Sequence, residues 1–250
     1  MIDKEFLNLL NSDEWPEAAP SFLICSETDE DKFERADGIL DYINENLKDK
    51  KFLDFGCGEG HVVKKAIENG IKAAFGYDIV QSGNLEWENE LVTDWSIVKS
   101  NGPFNFILLY DVLDHVKNPV ETLNQVKEVC NAETKVFVRC HPFTCRHGGH
   151  LYRKMNKAFI HFIFTEEELS ELGLKVDIIQ KTYAPIKDNN KWFSDAGFKV
   201  TVSDTITTPV EDFFKNPIFM KKLPIHLYGN NFPEFQMSQQ FNDYVLQINL

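Results

Sequence analysis

The feature that most limits how this chain can fold is a turn. Phe52-Leu53-Asp54-Phe55-Gly56-Cys57-Gly58-Glu59-Gly60 runs directly into His61-Val62-Val63-Lys64-Lys65-Ala66-Ile67. An apolar run that ends in an acid and three alternate glycines, followed by apolar residues at helical spacing, predicts strand, tight turn and helix. Glycine reaches backbone angles closed to other residues and lets a ligand lie on the main chain. At the carboxyl end of a first parallel strand, that space suits a nucleotide-like ligand. The spacing is G-x-G-x-G rather than the G-x-G-x-x-G of the dinucleotide fingerprint; the turn alone is weak evidence, a bare strand-to-helix connection being the lesser alternative to a site.

Its surroundings narrow the choice. A helical pattern over Phe33, Ala36, Ile39, Leu40, Ile43 and Leu47 feeds the first strand, and Asn69-Gly70 caps the helix after the turn. A second strand, Ile71 to Asp78, ends in an acid. A carboxylate at that tip accepts hydrogen bonds from both hydroxyls of a ribose, although an ordinary strand-end acid reads the same way in isolation. Residues 82–103 are polar, with Leu91-Val92 as a short strand. Phe104 to Asp111 is a continuous apolar run of the kind buried on both faces of a parallel sheet. Pro119 opens a helix, and Lys135 to Arg139 gives another buried strand. The alternation predicts an α/β fold: a parallel sheet with helices on both faces.

The regularity then lapses. Residues 141–150 read as loop, Leu151, Met155, Phe159 and Phe162 as a short helix, and Thr165 with Glu168 as a capping box. Asn190 to Ala196 reads as a helix, Lys199 to Ile206 as a strand, and the aromatic, proline-rich residues 209–235 as an inserted loop and helix. Tyr244 to Leu250 is a final strand beside the one at 199–206. Residues 1–28, broken by Pro16 and Pro20, form an amino-terminal arm ahead of a single domain over 29–250.

A formal charge of -13 in 250 residues opposes the long-range attraction on which nucleic-acid and anionic-membrane binders rely. The amino end lacks a basic segment followed by an apolar one, and no apolar run is long enough to span a bilayer, so a soluble, cytoplasmic chain is expected. Five unevenly spread cysteines suit reduced thiols better than a disulfide framework.

As an ordered set, these motifs resemble the class I S-adenosylmethionine-dependent methyltransferases. The likeness rests on Leu53 to Gly60, on Gly76-Tyr77-Asp78-Ile79, on Asp94-Trp95, and on Asp111-Val112-Leu113-Asp114-His115-Val116, where the family more often has glutamate than Asp114. It covers roughly residues 30–205 and the last strand, and it implies a Rossmann-like sheet closed by an antiparallel hairpin. The resemblance implies S-adenosylmethionine as cofactor, with Asp54 and the backbone of Gly56, Cys57, Gly58 and Gly60 facing its methionyl part. Asp78 would bind the ribose, Asp94 the adenine amino group, and Trp95 or Ile79 would pack on the ring. Asp111 and Val112 would line the cleft near the methyl donor. S-adenosylmethionine has no pyrophosphate, so the turn need not aim a helix amino terminus at a phosphate pair.

The segment after the fifth strand resembles, more loosely, a lid pattern of methyltransferases acting on sugars or other small molecules. Methyl transfer to a hydroxyl needs in-line positioning and a base, and histidine titrates in the right range. His141, at the strand tip, and His150, after two glycines, are the candidates, with His147 behind them. Histidines that merely shape the loop are the alternative. The spacing of Cys140, His141, Cys145, His147 and His150 matches no standard pair of zinc-ligand hooks, so no metal is expected. Asp114-His115 reads equally as an acid–base pair or a helix cap. The expected function is methyl transfer to a small-molecule or sugar-like acceptor, covered by lid-like insertions at 141–185 and 209–235. An RNA or protein methyltransferase and a non-catalytic subunit of the same fold are the alternatives, and the oligomeric state is left open.

Overall fold

A computed structural model describes residues 4–19, 28–80, 91–223 and 233–249. The elements in order are α1 (Lys4–Asn11), α2 (Asp29–Ile43), β1 (Lys51–Phe55), α3 (His61–Glu68), β2 (Ala73–Tyr77), β3 (Leu91–Val92), α4 (Trp95–Asn101), β4 (Phe106–Tyr110), α5 (Pro119–Lys127) and β5 (Lys135–Cys140). They continue as α6 (Ile160–Ile163), α7 (Glu166–Glu171), α8 (Pro185–Asp195), β6 (Phe198–Thr207), α9 (Glu211–Lys215), α10 (Pro217–Lys222), α11 (Pro233–Ser238) and β7 (Gln239–Ile248).

The seven strands form one sheet in the order β3-β2-β1-β4-β5-β7-β6, its first five strands parallel and an antiparallel hairpin closing the far edge. The chain first builds outward from β1 through β2 to β3, then returns to lay β4 on the other side of β1. That reversal opens a crevice at the carboxyl ends of β1 and β4, the place where open α/β sheets bind ligands.

The strands are apolar on both faces because both faces are covered. In β4, Ile107 and Leu109 join one core cluster with Leu53, Val98 of α4, Leu123 and Val126 of α5 and Phe193 of α8. Phe106 and Leu108 point the other way, onto Ile39 and Leu40 of α2 and Val63 and Ala66 of α3. Period-two alternation thus puts helices on both sides.

Contacts within the chain gather into two compact units. One comprises Cys25–Cys140, Asn189–Asp204 and Asp243–Leu250 and holds both clusters just described. The other comprises Met1–Ile24, His141–Asp188 and Thr205–Asn242. Its own core brings Phe6, Leu10 and Trp15 of the arm together with Phe159, Phe213 and Phe219. The Trp15 indole N–H donates to the Ala158 carbonyl at 3.0 Å, and Asn156 exchanges two hydrogen bonds with the Ala19 main chain.

Local departures from the sequence reading have local causes. Residues 95–101, read as part of a polar connection, form α4, because Asp94 caps it by accepting from the Ser96 N–H at 2.8 Å. Of the helix expected over 151–162, only α6 is helical among the described residues. Asn118, not Asp114, caps α5, and Pro119 follows at its first turn. The expected loop and helix at 209–235 resolves into α9, α10 and α11, with residues 224–232 outside the described set.

One polar clamp ties β5 to β7. Arg139 donates from Nε and Nη2 to the two carboxylate oxygens of Asp243 at 2.7 and 2.6 Å and from Nη1 to the Tyr110 hydroxyl at 2.7 Å. The guanidinium also lies over the rings of Tyr42 and Tyr110. Replacing Asp243 by alanine strands a nearly buried cation and is expected to cost about 3–5 kcal/mol in urea denaturation. The double variant Arg139→Met with Asp243→Leu is expected to lose clearly less, and equal losses would contradict this reading.

Candidate functional site

The turn after β1 is held open by the geometry that glycine alone adopts without strain. Gly56, Gly58 and Gly60 have φ of 83°, 52° and 84°. The Tyr77 carbonyl at the end of β2 accepts from the Gly56 N–H at 2.7 Å and the Cys57 N–H at 3.2 Å. The next amide, Gly58 N–H, donates to Asp78 Oδ2 at 2.9 Å. The tip of β2 therefore fixes the turn through main chain and carboxylate together.

Each glycine has a different reason to be one. A Cβ on Gly56 would sit 2.6 Å from Val112 Cγ2, so the turn and the residue beyond β4 approach too closely for any side chain. A Cβ on Gly58 would meet nothing within 4 Å of the described chain, leaving space above the turn. Cys57 packs over Gly76, where a Cβ would lie 2.7 Å from its sulfur. Burial and the nearby Asp54 and Asp78 push that thiol far up, so it is a filler, not a nucleophile.

The acids of this crevice are electrostatically tense. Asp54 is 4 % exposed, and burial, then the charge of Asp78, pushes its carboxyl up to about 7. Asp111 has φ of 55°, unusual for a non-glycine residue, and its N–H donates to the Arg139 carbonyl at 3.1 Å. Its Oδ2 stands 3.8 Å from Arg35, and Oδ1 is buried without a hydrogen-bond partner among the described residues. Burial, then Asp114, raises the Asp111 carboxyl. Asp114 is itself buried, 3.3 Å from His115.

The other expected cofactor residues are placed variously. The Asp94 carboxylate caps α4, with Oδ1 on the Ser96 N–H. Trp95 packs its ring 5.1 Å from Tyr77 and 5.8 Å from Phe55 and donates its indole N–H to Glu128 at 2.9 Å. Ile79 is 83 % exposed, an apolar side chain held in solvent beside Asp78. Arg35, which faces Asp111, went unnoticed in the sequence because it is one of two cations, with Lys32, in an acidic helix.

In the other unit, residues 141–150 fold back on themselves. Cys145 N–H donates to the Pro142 carbonyl, Gly148 N–H to Cys145 and His150 N–H to His147. Gly148 and Gly149 are obligatory: a Cβ would lie 2.2 Å from the Phe143 oxygen at the first and 2.5 Å from the His161 Cβ at the second. The loop brings all three expected histidines together. His150 Nε2 is 2.7 Å from His141 Nδ1, and the His141 ring centroid is 4.2 Å from that of His147. Phe241, distant in sequence and not foreseen, lies against both His141 and His147. Burial pushes His147 and His161 down to about 3, so both are neutral near pH 7; His161 donates from Nε2 to the Phe143 carbonyl at 2.8 Å.

The sheet order, the glycine turn and the acid at the β2 tip define a nucleotide-cofactor fold of the Rossmann-like kind. A family profile described as a methyltransferase domain matches residues 29–202. The chain belongs to the class I S-adenosylmethionine-dependent methyltransferases. Among solved structures, a SAM-dependent methyltransferase from Archaeoglobus fulgidus is 14% identical with a TM-score of 0.52, over 98% of this chain and 100% of that one. Coclaurine N-methyltransferase bound to N-methylheliamine and SAH is 13% identical with a TM-score of 0.53, over 98% of this chain and 79% of that one. A curated relative, the tRNA U34 carboxymethyltransferase of Campylobacter fetus subsp. fetus, is 28% identical over 117 residues, 42% of this chain. The chain spans only 41% of the length of that relative. Residues 29–202 thus form a methyltransferase domain. Among the described residues, no helix is long and apolar enough to cross a membrane.

The pH dependence of stability tests the burial of Asp54. A carboxyl raised from 3.8 to about 7 takes up a proton on folding. Its contribution is complete below the unfolded value and is lost as pH rises through the folded one, at up to about 1.4 kcal/mol per pH unit. Asp54→Asn is therefore expected to gain urea stability relative to wild type between pH 5 and pH 8. Parallel profiles for the two proteins would contradict the assignment.

Proposed function

We propose that the chain transfers the methyl group of S-adenosylmethionine to a hydroxyl oxygen of a small-molecule or sugar-like acceptor, a nitrogen being the second choice. The observation that carries the acceptor reading is the His150–His141 pair, joined at 2.7 Å in a loop shaped by two obligatory glycines. In this scheme Asp54 and the Gly56–Gly60 backbone hold the methionyl part, and the free lone pairs of Asp78 hold the ribose. Asp94 serves the adenine amino group, with Trp95 and Ile79 beside the ring, and Asp111 and Val112 border the methyl donor. The sulfonium is cationic, and acids poised near neutrality ionise readily beside a cation.

The chemistry needs little more. Bound S-adenosylmethionine would supply an activated methyl group: an acceptor oxygen in line with it would form the O–C bond as the C–S bond broke, the electron pair staying on sulfur as S-adenosylhomocysteine. The hydroxyl proton passes to His150, and His141 fixes the tautomer of its ring. His147 is the weaker candidate base, since burial disfavours its protonated form. Residues 141–185 and 209–235 supply acceptor recognition in the 29–250 domain, with residues 1–28 as its arm.

The similarity to a tRNA U34 carboxymethyltransferase supports an RNA acceptor as a second reading, and the net charge of -13 weighs against it. Methyl-labelled S-adenosylmethionine incubated with a panel of small alcohols, sugars and amines, and separately with tRNA, distinguishes them. Label is expected on a small hydroxyl compound, and His150→Gln is expected to lower kcat about 100-fold or more with cofactor affinity unchanged. Label on tRNA alone would move the function to RNA, and unaltered turnover in His150→Gln would remove the base.

A further inference from the structure

The loop at 141–150 holds more chemistry than a base requires. His141, Cys145 and His147 are 5 %, 1 % and 2 % exposed, and one ligand-type atom from each lies within 4.8 Å of the others. Two imidazoles and a thiol so tightly gathered, with no carboxylate in the triad, form a donor set of borderline softness. We propose that His141, Cys145 and His147 bind a zinc ion, an assignment that goes beyond the methyltransferase reading and does not rest on it.

The geometry needs only modest closing. Zinc bonds of about 2.0–2.3 Å place ligand atoms roughly 3.5 Å apart around a tetrahedral ion, so the three atoms draw in by up to roughly 1.3 Å. The loop supplies the means: its turns bring positions 141, 145 and 147 to one side, and Gly148 allows the chain to double back against Phe143. The ring nitrogens of His147 reach no well-aligned hydrogen-bond partner among the described residues, although the Ala18 main chain lies beside the ring.

The surrounding groups are those a zinc ligand requires. With Nε2 of His141 on the ion, its Nδ1–H donates to His150 Nε2 at 2.7 Å, the outer contact that fixes a ligand's tautomer; the reverse direction, in which His150 is the donor and keeps Nδ1 as a base, belongs to the metal-free loop. Phe241 packs on both His141 and His147 and supplies an apolar wall. On binding, the Cys145 thiol gives up its proton to solvent as the sulfur–zinc bond forms, and water fills the fourth position. The spacing at 141, 145 and 147 follows no standard ligand hook, so sequence pattern alone passes it over.

Metal analysis of the full-length protein, purified without a histidine tag and dialysed, is expected to find about one zinc per chain. Replacement by cobalt is expected to give thiolate-to-cobalt charge-transfer absorption. Cys145→Ser is expected to lose the absorption and most of the zinc while keeping its far-UV circular dichroism, whereas Cys130→Ser keeps both. His147→Gln provides the same reading should Cys145→Ser fail to fold. A wild-type chain that takes up neither metal, or folded variants that retain zinc and the thiolate absorption, would overturn the site. Because the readout is metal content and spectrum, failure here leaves methyl transfer untouched, and failure of methyl transfer leaves this site untouched.

Discussion

The contact on which the cofactor side of this protein depends is the approach of the Gly56 backbone to Val112. Strand order puts β1 beside β4, and the chain reverses across the sheet at that point, the place where open α/β sheets bind ligands. A Cβ at position 56 would stand 2.6 Å from the Val112 side chain, so the two strand ends meet only because the first residue past β1 is glycine. Tyr77 and Asp78 at the end of β2 collect three successive amides, and the positive φ values of the glycines point those amides correctly. In the proposed site it is this backbone, more than side-chain chemistry, that would lie against the ligand.

Electrostatics then gives the crevice its preference. Asp54 is buried, and desolvation, joined by the charge of the half-buried Asp78, pushes its carboxyl up to about 7. A cationic ligand relieves both penalties at once, whereas an anionic one would add to them. Asp111, raised by burial and by Asp114, extends the same logic to the end of β4. An acidic protein with a sulfonium cofactor is electrostatically coherent in a way that an acidic protein with a polyphosphate cofactor would not be.

What could be read from the sequence was what local pattern determines. The glycine turn, the acid at Asp78, the two-sided apolar run of β4 and the capping box at Thr165 and Glu168 are each written in a few consecutive residues, and each is present. Helix α4 escaped because its seven residues carry little periodicity and its start depends on a single Asp94 cap. Interactions between distant segments escaped more thoroughly. Arg139 finds Asp243 across 104 residues, Trp15 finds Ala158 across 143, and Phe241 reaches the histidine loop from the last strand. No window of sequence contains both partners of any of these. The histidine loop shows the same limit, since its residues were visible as candidates while the closeness of His141, Cys145 and His147 was set by turns and two glycines that only the fold reveals.

The central claim is that backbone freedom at position 56 creates the cofactor site, and calorimetric titration with S-adenosylhomocysteine tests it most directly. Wild-type protein is expected to bind one equivalent. Gly56→Ala, strained by about 1–3 kcal/mol at a φ of 83° and pressed against Val112, is expected to bind at least ten-fold more weakly while remaining folded. Absence of binding to the wild-type chain, or equal affinity in a folded Gly56→Ala variant, would contradict the account.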